Sequence, residues 1–149
     1  CSGVAKTTIY RHWDDADAII LEAIGEFEGS DKRFRTDNIV SDVTEYLSEL
    51  ASCFYTADWA KVMPDLFEKS MRDPSFREAK KEFMQKRNKP LVERLEEGVS
   101  KGELRSDTEV EFLLDQLFGP LMMRYFAKEQ PTRNYVEKLV VRTLDSYVV

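Results

Sequence analysis

The residues best suited to recognition chemistry stand together near the start of the chain, in Lys6-Thr7-Thr8-Ile9-Tyr10-Arg11-His12. Lys6 and Arg11 carry positive charge that suits phosphate oxygens, and Tyr10 can donate its hydroxyl to the same acceptors. Thr7 and Thr8 can hydrogen-bond base edges or phosphates, and a threonine methyl can meet the methyl of thymine. His12, the only histidine of the sequence, sits beside Trp13 and is grouped with this set; a lone histidine does not make a metal site. No acid occurs in residues 1–13. Catalytic chemistry finds no comparable grouping. Ser2, His12 and Asp14 lie close in sequence, but Ser2 sits in a turn without the braced setting a nucleophile needs. The pairs Glu96/Glu97 and Glu109/Glu111 read as solvated faces. Cys1 and Cys53 match no metal or redox spacing and form no disulfide framework. The expectation is a binding protein, not an enzyme, with no metal and no cofactor.

A turn and a short helix would position the recognition set. Gly3 can take the positive φ of a sharp reversal, and the chain can continue as helix from Ala5. Val4, Ile9 and Trp13 then share one side and can pack inward, while Lys6, Thr7, Tyr10 and Arg11 spread over the other. This is the pattern of a recognition helix in a helix-turn-helix, with double-stranded DNA as the partner. Asp14 or Asp15 can cap the next helix, and Ile19, Ile20, Ala23, Ile24 and Phe27 carry it to about Glu28. Gly29-Ser30-Asp31 breaks it, and a charged linker follows through Asp37.

The run Gly3-Val4-Ala5-Lys6-Thr7-Thr8-Ile9-Tyr10-Arg11-His12-Trp13, followed by Asp14-Asp15-Ala16-Asp17-Ala18-Ile19, resembles the TetR family of bacterial transcriptional regulators. That resemblance implies a DNA-binding head, a connecting helix, and a helical body that dimerises and encloses a small-molecule pocket. One position departs from the family, which usually has a phosphate-contacting lysine where this chain has Ala16. The chain lacks a starting Met and begins inside the motif, so the resemblance implies about two helices ahead of it.

Helical periodicity continues through the body. Ile39, Val43, Tyr46, Leu47, Leu50, Ala51 and Phe54 predict a helix from about Ile39 to Phe54. Asp58 can cap a third helix holding Val62, Met63, Leu66, Phe67 and Met71, with Pro64 near its start. Ser75 opens a long helix to about Val99, which Pro90 should bend and Gly102 should end. Ser106-Asp107-Thr108-Glu109 reads as the cap of a helix from about Thr108 to Ala127. Pro120 should kink that helix, which is apolar on nearly every side. The last helix runs from about Arg133 to Tyr147. Spare apolar surface on these two helices predicts a homodimer through a four-helix interface, with Leu117, Phe118, Leu121, Val140 and Leu144 in the contact. Phe54, Trp59, Met63, Phe67, Phe83, Met122 and Tyr125 could line a pocket for a small-molecule effector, with Arg87 and Gln116 as its polar groups; such residues are more often plain core.

The body is similar to a TetR regulatory-domain subtype at Met63-Pro64-Asp65-Leu66, Met71-Arg72-Asp73-Pro74, Val99 to Asp107, and Leu114 to Leu121. The fold class is all-α: an incomplete helix-turn-helix head with its connecting helix over 1–28, and a helical-bundle ligand-binding and dimerisation domain over 36–149. Charge supports the division. Of 22 basic and 28 acidic residues, two basic and no acidic ones fall within 1–13, which places a basic tip on an acidic body. No run approaches the roughly 20 apolar residues a membrane helix needs. The expected partners are DNA, a second copy of the chain and an unidentified small molecule, with no membrane, in the bacterial cytoplasm. The function that follows is a ligand-responsive repressor on a palindromic operator. The alternative is a dimerising or ligand-binding module with no DNA role, favoured by the acidic body and Ala16.

Overall fold

Helix α1 (Ile39–Thr56) begins where Asn38 accepts the Ser41 amide on its side-chain oxygen at 3.0 Å, an N-cap that satisfies one orphan donor. In the computed structural model, which describes residues 36–57, 60–61 and 63–149, this helix buries the expected stripe of Ile39, Val43, Tyr46, Leu47, Leu50, Ala51 and Phe54. It runs two residues beyond its expected end.

Helix α2 (Met63–Arg72) carries Pro64 in its first turn, where a missing N–H costs little, and buries Met63, Leu66 and Ser70. Asp73 then caps helix α3 (Pro74–Ser100), accepting from the amides of Ser75 at 3.0 Å and Phe76 at 3.2 Å. Pro74 is the first helical residue, so the start falls one position earlier than expected. Arg77 ties the two helices by donating to the last carbonyls of α2, from Nε to Ser70 at 2.9 Å and from Nη2 to Met71 at 3.1 Å.

Helix α3 passes through Pro90 without a break in its assignment. The chain divides into two compact units at this point: of the described residues, one unit takes those up to Lys89 from Thr56, and the other takes 36–55 with 90–149. Phe76, Leu66 and Met63 are fully buried in the first; Leu47, Leu50, Leu91, Leu95, Leu104, Leu113 and Leu117 are fully buried in the second.

The end of α3 shows why Gly102 is a stop. Gly102 has φ of +74°, the left-handed region that favours glycine. Its amide donates to Val99 at 3.1 Å, and the Glu103 amide donates to Gly98 at 2.8 Å, so two orphan carbonyls are closed in a Schellman turn. The turn folds Leu104 back into the core.

Helix α4 (Val110–Phe126) starts two residues later than the capping signature predicts. Glu109 occupies the N-cap position and makes no side-chain cap. Asp107 is held instead by Arg105, from Nε and Nη2 at 3.0 Å each. Helix α5 (Arg133–Leu144) is capped by Thr132, whose side chain accepts from the Tyr135 amide at 3.1 Å. It ends three residues short of expectation because the tail is drawn into other bonds. Tyr147 accepts from the Arg105 amide at 2.8 Å, and Leu104 bridges to Val148.

The second unit packs α4 against α5, and the buried residues are Leu113, Leu117 and Leu121 on α4 and Val136, Val140 and Leu144 on α5. Cys53 is buried. The described residues contain helices and no named strand. None of their helices is long and apolar enough to cross a membrane.

Candidate functional site

The six recognition residues, Lys6, Thr7, Thr8, Tyr10, Arg11 and His12, lie outside the described residues, as does Trp59. The remaining pocket candidates separate between the two units.

In the second unit, α1 and α4 bring Phe54 and Tyr125 together, with ring centroids 5.5 Å apart and planes tilted by 43°. Tyr55 meets the same ring edge-on at 6.2 Å, and Phe126 does so at 5.7 Å. Such offset contacts suit the ring quadrupoles. Tyr55 donates its hydroxyl to the Glu129 carbonyl at 2.7 Å, joining the end of α1 to the α4–α5 connection. Burial raises the pKa of both tyrosines, because a phenolate is disfavoured away from water. The Glu129 charge pushes Tyr55 the same way, and Arg124 opposes it. Met122 is half-buried on α4. Gln116 points elsewhere: it is exposed and accepts from the Tyr147 hydroxyl at 2.5 Å. It therefore belongs to the α4 surface and the C-terminal tail, not to this aromatic cluster.

In the first unit, Met63 and Arg87 are buried, and Phe67 and Phe83 are half-buried. Lys80 lies over the Phe67 ring at 4.8 Å and Lys86 over the Phe83 ring at 5.8 Å, so these rings carry cations on their faces. Arg87 donates from Nε to the Asn88 side chain at 3.3 Å. Burial lowers the pKa of Lys80, and the neighbouring Arg77 charge adds to that shift.

The dimer candidates require a correction. Leu117, Leu121, Val140 and Leu144 are completely or almost completely buried inside the protomer, where α4 and α5 face each other. They have no surface left for a partner; of the five, Phe118 alone keeps partial exposure. One chain leaves part of the apolar surface of α4 uncovered. Phe112, Met123 and Phe126 are 56%, 69% and 55% exposed. With the exposed Gln116 and Gly119, they recur at alternating spacings of four and three, which places them on one side of the helix. A Cβ added to Gly119 would meet nothing within 4 Å, so this face is open at its middle. Val141 of α5 is also exposed.

Sequence reasoning missed two features of the second unit. The first is a cleft of about 550 Å³ between the polar side of α1, with Glu45, Ser48, Glu49 and Ser52, and the start of α5 at Thr132 and Arg133. Arg133 bonds Glu45 at 2.9 Å and Glu137 at 3.1 Å, an internal ion pair at this cleft. None of the expected pocket residues lines it.

The second is a buried charged cluster. Arg94 is 6% exposed, yet its Nε donates to Asp42 Oδ2 at 2.8 Å, and its two Nη atoms fork onto the Glu103 carboxylate at 3.0 Å each. The paired carboxylates, with the Glu103 hydrogen bonds first, push the pKa of the guanidinium further up despite its burial. Asp42 Oδ1 also accepts from Thr36, from the hydroxyl at 2.7 Å and the amide at 3.2 Å. The sequence held a signal for this cluster. Asp42 falls within the apolar stripe of α1, and Arg94 falls between Leu91 and Leu95 on that of α3, so both charges occupy core-facing positions.

Comparison with known proteins places this architecture. Residues 35–143 match the family described as tetracyclin repressor-like, C-terminal domain. The chain is similar to the uncharacterized HTH-type transcriptional regulator YdeS of Bacillus subtilis (strain 168), at 28% identity over 143 residues, covering 93% of this chain and 71% of the relative. The family match covers more than half of the chain, taking in α1 to α4 and all of α5 but its last residue, and the protein belongs to the TetR family of DNA-binding transcriptional regulators.

Proposed function

We propose that this regulator works as a homodimeric, ligand-responsive repressor in the bacterial cytoplasm, with one recognition helix of each protomer in a major groove of a palindromic operator. Residues 1–28 supply the remainder of the head and the connecting helix, and residues 36–149 the regulatory body. The observation that carries the assembly is the exposed apolar side of α4. Phe112, Met123 and Phe126 flank an open Gly119, which lets a second helix approach closely. Two copies related by a twofold axis would bury this side against itself, together with Val141. Lys6, Thr7, Thr8, Tyr10, Arg11 and His12 make the DNA contacts, on half-sites about 34–36 Å apart or a multiple of that.

The effector acts in the body. Phe54, Met122 and Tyr125 in the second unit, and Trp59, Met63, Phe67, Phe83 and Arg87 in the first, remain the pocket candidates; Gln116 is withdrawn because it is exposed and bonded to Tyr147. A ligand that favours one separation of the heads must weaken DNA binding by the same factor by which DNA weakens ligand binding. Selection of binding sites from random duplex DNA, with the full-length protein at two salt concentrations, tests the reading. A palindromic sequence bound in a salt-sensitive way is expected. No enriched sequence at low salt would leave the body as a ligand-binding or dimerising module.

A further inference from the structure

We propose that the cleft between α1 and the start of α5 binds a free α-amino acid with a polar side chain, which lies along the Glu45–Arg133 ion pair and meets both of its charges. The inference stands on the second unit alone and does not rest on DNA binding.

Helical spacing builds one wall: Glu45, Ser48, Glu49 and Ser52 recur at three and four, so they share one side of α1. The facing wall is Gln130 and the first turn of α5, with Thr132 and Arg133. A volume of about 550 Å³ suits a small molecule. Of the lining residues only Pro131 and Val136 are apolar, so an oily ligand gains little here. Charge then selects the ligand. Arg133 gives Nη2 to Glu45 Oε2 at 2.9 Å and Nε to Glu137 at 3.1 Å. Arg133 Nη1 and Glu45 Oε1 carry no bond among the described residues. A simple cation drawn to Glu45 would meet Arg133, and a simple anion drawn to Arg133 would meet Glu45 and Glu137. An α-amino acid carries both charges about one carbon. Its ammonium can donate to Glu45 Oε1 while its carboxylate accepts from Arg133 Nη1, and the existing pair stays intact. The positive N-terminal end of α5 favours the carboxylate on the Arg133 side. The ligand's side chain is left to Ser48, whose Oγ is buried and has no hydrogen-bond partner. A buried hydroxyl left unpaired is costly, and because it holds no bond, a turn about χ1 towards the cleft breaks none. A polar side chain on the ligand supplies the missing partner.

The test is calorimetric titration of the full chain, without DNA, against four probes. These are L-glutamine, its N-acetyl derivative, which lacks the ammonium, its carboxamide, which lacks the carboxylate, and L-leucine, which is of similar size with an apolar side chain. Loss of a hydrogen bond between charged groups weakens binding by about tenfold. L-glutamine is expected to bind about tenfold more tightly than either derivative, and more tightly than L-leucine. Glu45 and Arg133 are exposed, and an exposed ion pair adds little to stability, so either can be replaced without loss of the fold. Glu45→Gln is expected to lose affinity for L-glutamine but not for the N-acetyl derivative, and Arg133→Gln to lose it for L-glutamine but not for the carboxamide. Ser48→Ala should bring L-glutamine level with L-leucine. No binding of L-glutamine overturns the proposal. Equal binding of L-glutamine and its derivatives means that the charges are not read, which also overturns it. Binding that survives both Glu45→Gln and Arg133→Gln places the ligand elsewhere in the body, with the same consequence. An unchanged preference in Ser48→Ala overturns the part assigned to Ser48. The wild-type titrations decide the central claim whether or not a variant folds.

Discussion

A methyl group added at Gly98 provides a sharp test of the α1–α3 packing. Gly98 lies in the last turns of α3, and its Schellman carbonyl accepts from Glu103 and Leu104. A Cβ built there would overlap Ile39 Cδ1 and would touch Leu104 Cδ1 at 3.4 Å. Two effects oppose each other. Alanine is favoured over glycine in a helix by about 0.5–1 kcal/mol. Overpacking a tight core costs about 1–3 kcal/mol, and Ile39 is buried. Overpacking should win, so Gly98→Ala is expected to destabilise the body by about 1–2 kcal/mol, a drop in Tm of about 2–8 °C. Ile39→Val removes Cδ1 alone and by itself costs about 0.5–1.5 kcal/mol. In that background the new methyl keeps only its ordinary contact with Leu104, and Gly98→Ala should become neutral or stabilising. Chemical denaturation of all four proteins gives the coupling energy, expected at about 1–3 kcal/mol. Additivity within about 0.5 kcal/mol would refute the contact.

Other perturbations follow from the same packing. Arg94→Met strands the buried Asp42 carboxylate and should cost about 3–5 kcal/mol, read by urea denaturation. Gly102→Ala meets no neighbour within 4 Å but must hold a φ of +74°, so thermal melts should show a loss of about 1–2 kcal/mol from backbone strain alone. Met123→Glu with Phe126→Glu should give a folded monomer in sedimentation velocity with unchanged helicity, whereas Leu117→Glu should unfold the protein, because Leu117 is already in the protomer core. The tyrosine shifts fix an alkaline limit. Tyr55 and Tyr125 have folded pKa values above the unfolded value of about 10, so the stabilisation they report is complete below that pH and lost as pH rises through the folded values. Melts between pH 8 and pH 11 should fall on the alkaline side, and Tyr55→Phe with Tyr125→Phe should flatten the fall.

Local periodicity made most of the fold readable. The apolar stripe of α1, the Asp73-Pro74 boundary and the Gly102 stop each depend on residues close in sequence, and each is found within two residues of its expected place. The misplaced boundaries are set by side-chain and tail bonds that periodicity does not show. Asp107 was available to cap α4 on sequence grounds, but Arg105 holds it. Tyr147 could have continued α5, but its carbonyl serves Arg105. The dimer residues were misassigned because a helix apolar on two sides does not announce which side its own chain covers. Leu113, Leu117 and Leu121 fit the core stripe, and Phe112, Met123 and Phe126 fit an equally regular outer one. Gln116 looked like a pocket group because glutamine on an apolar helix is conspicuous; its tyrosine partner lies 31 positions away. The Asp42–Arg94 pair spans 52 positions, and nothing local joins its members except that both occupy core-facing positions.

DNA recognition by the head is tested most directly by the salt dependence of binding. The affinity of the wild type and of Arg11→Ala for the selected duplex would be measured by anisotropy across a series of salt concentrations. Each phosphate contact contributes about 0.9 to the slope of log affinity against log salt. A linear fall for the wild type, with a weaker and shallower line for Arg11→Ala by about one unit, is expected if Arg11 neutralises a phosphate. Identical lines for the two proteins would contradict the assignment of residues 1–13 as the DNA-reading surface.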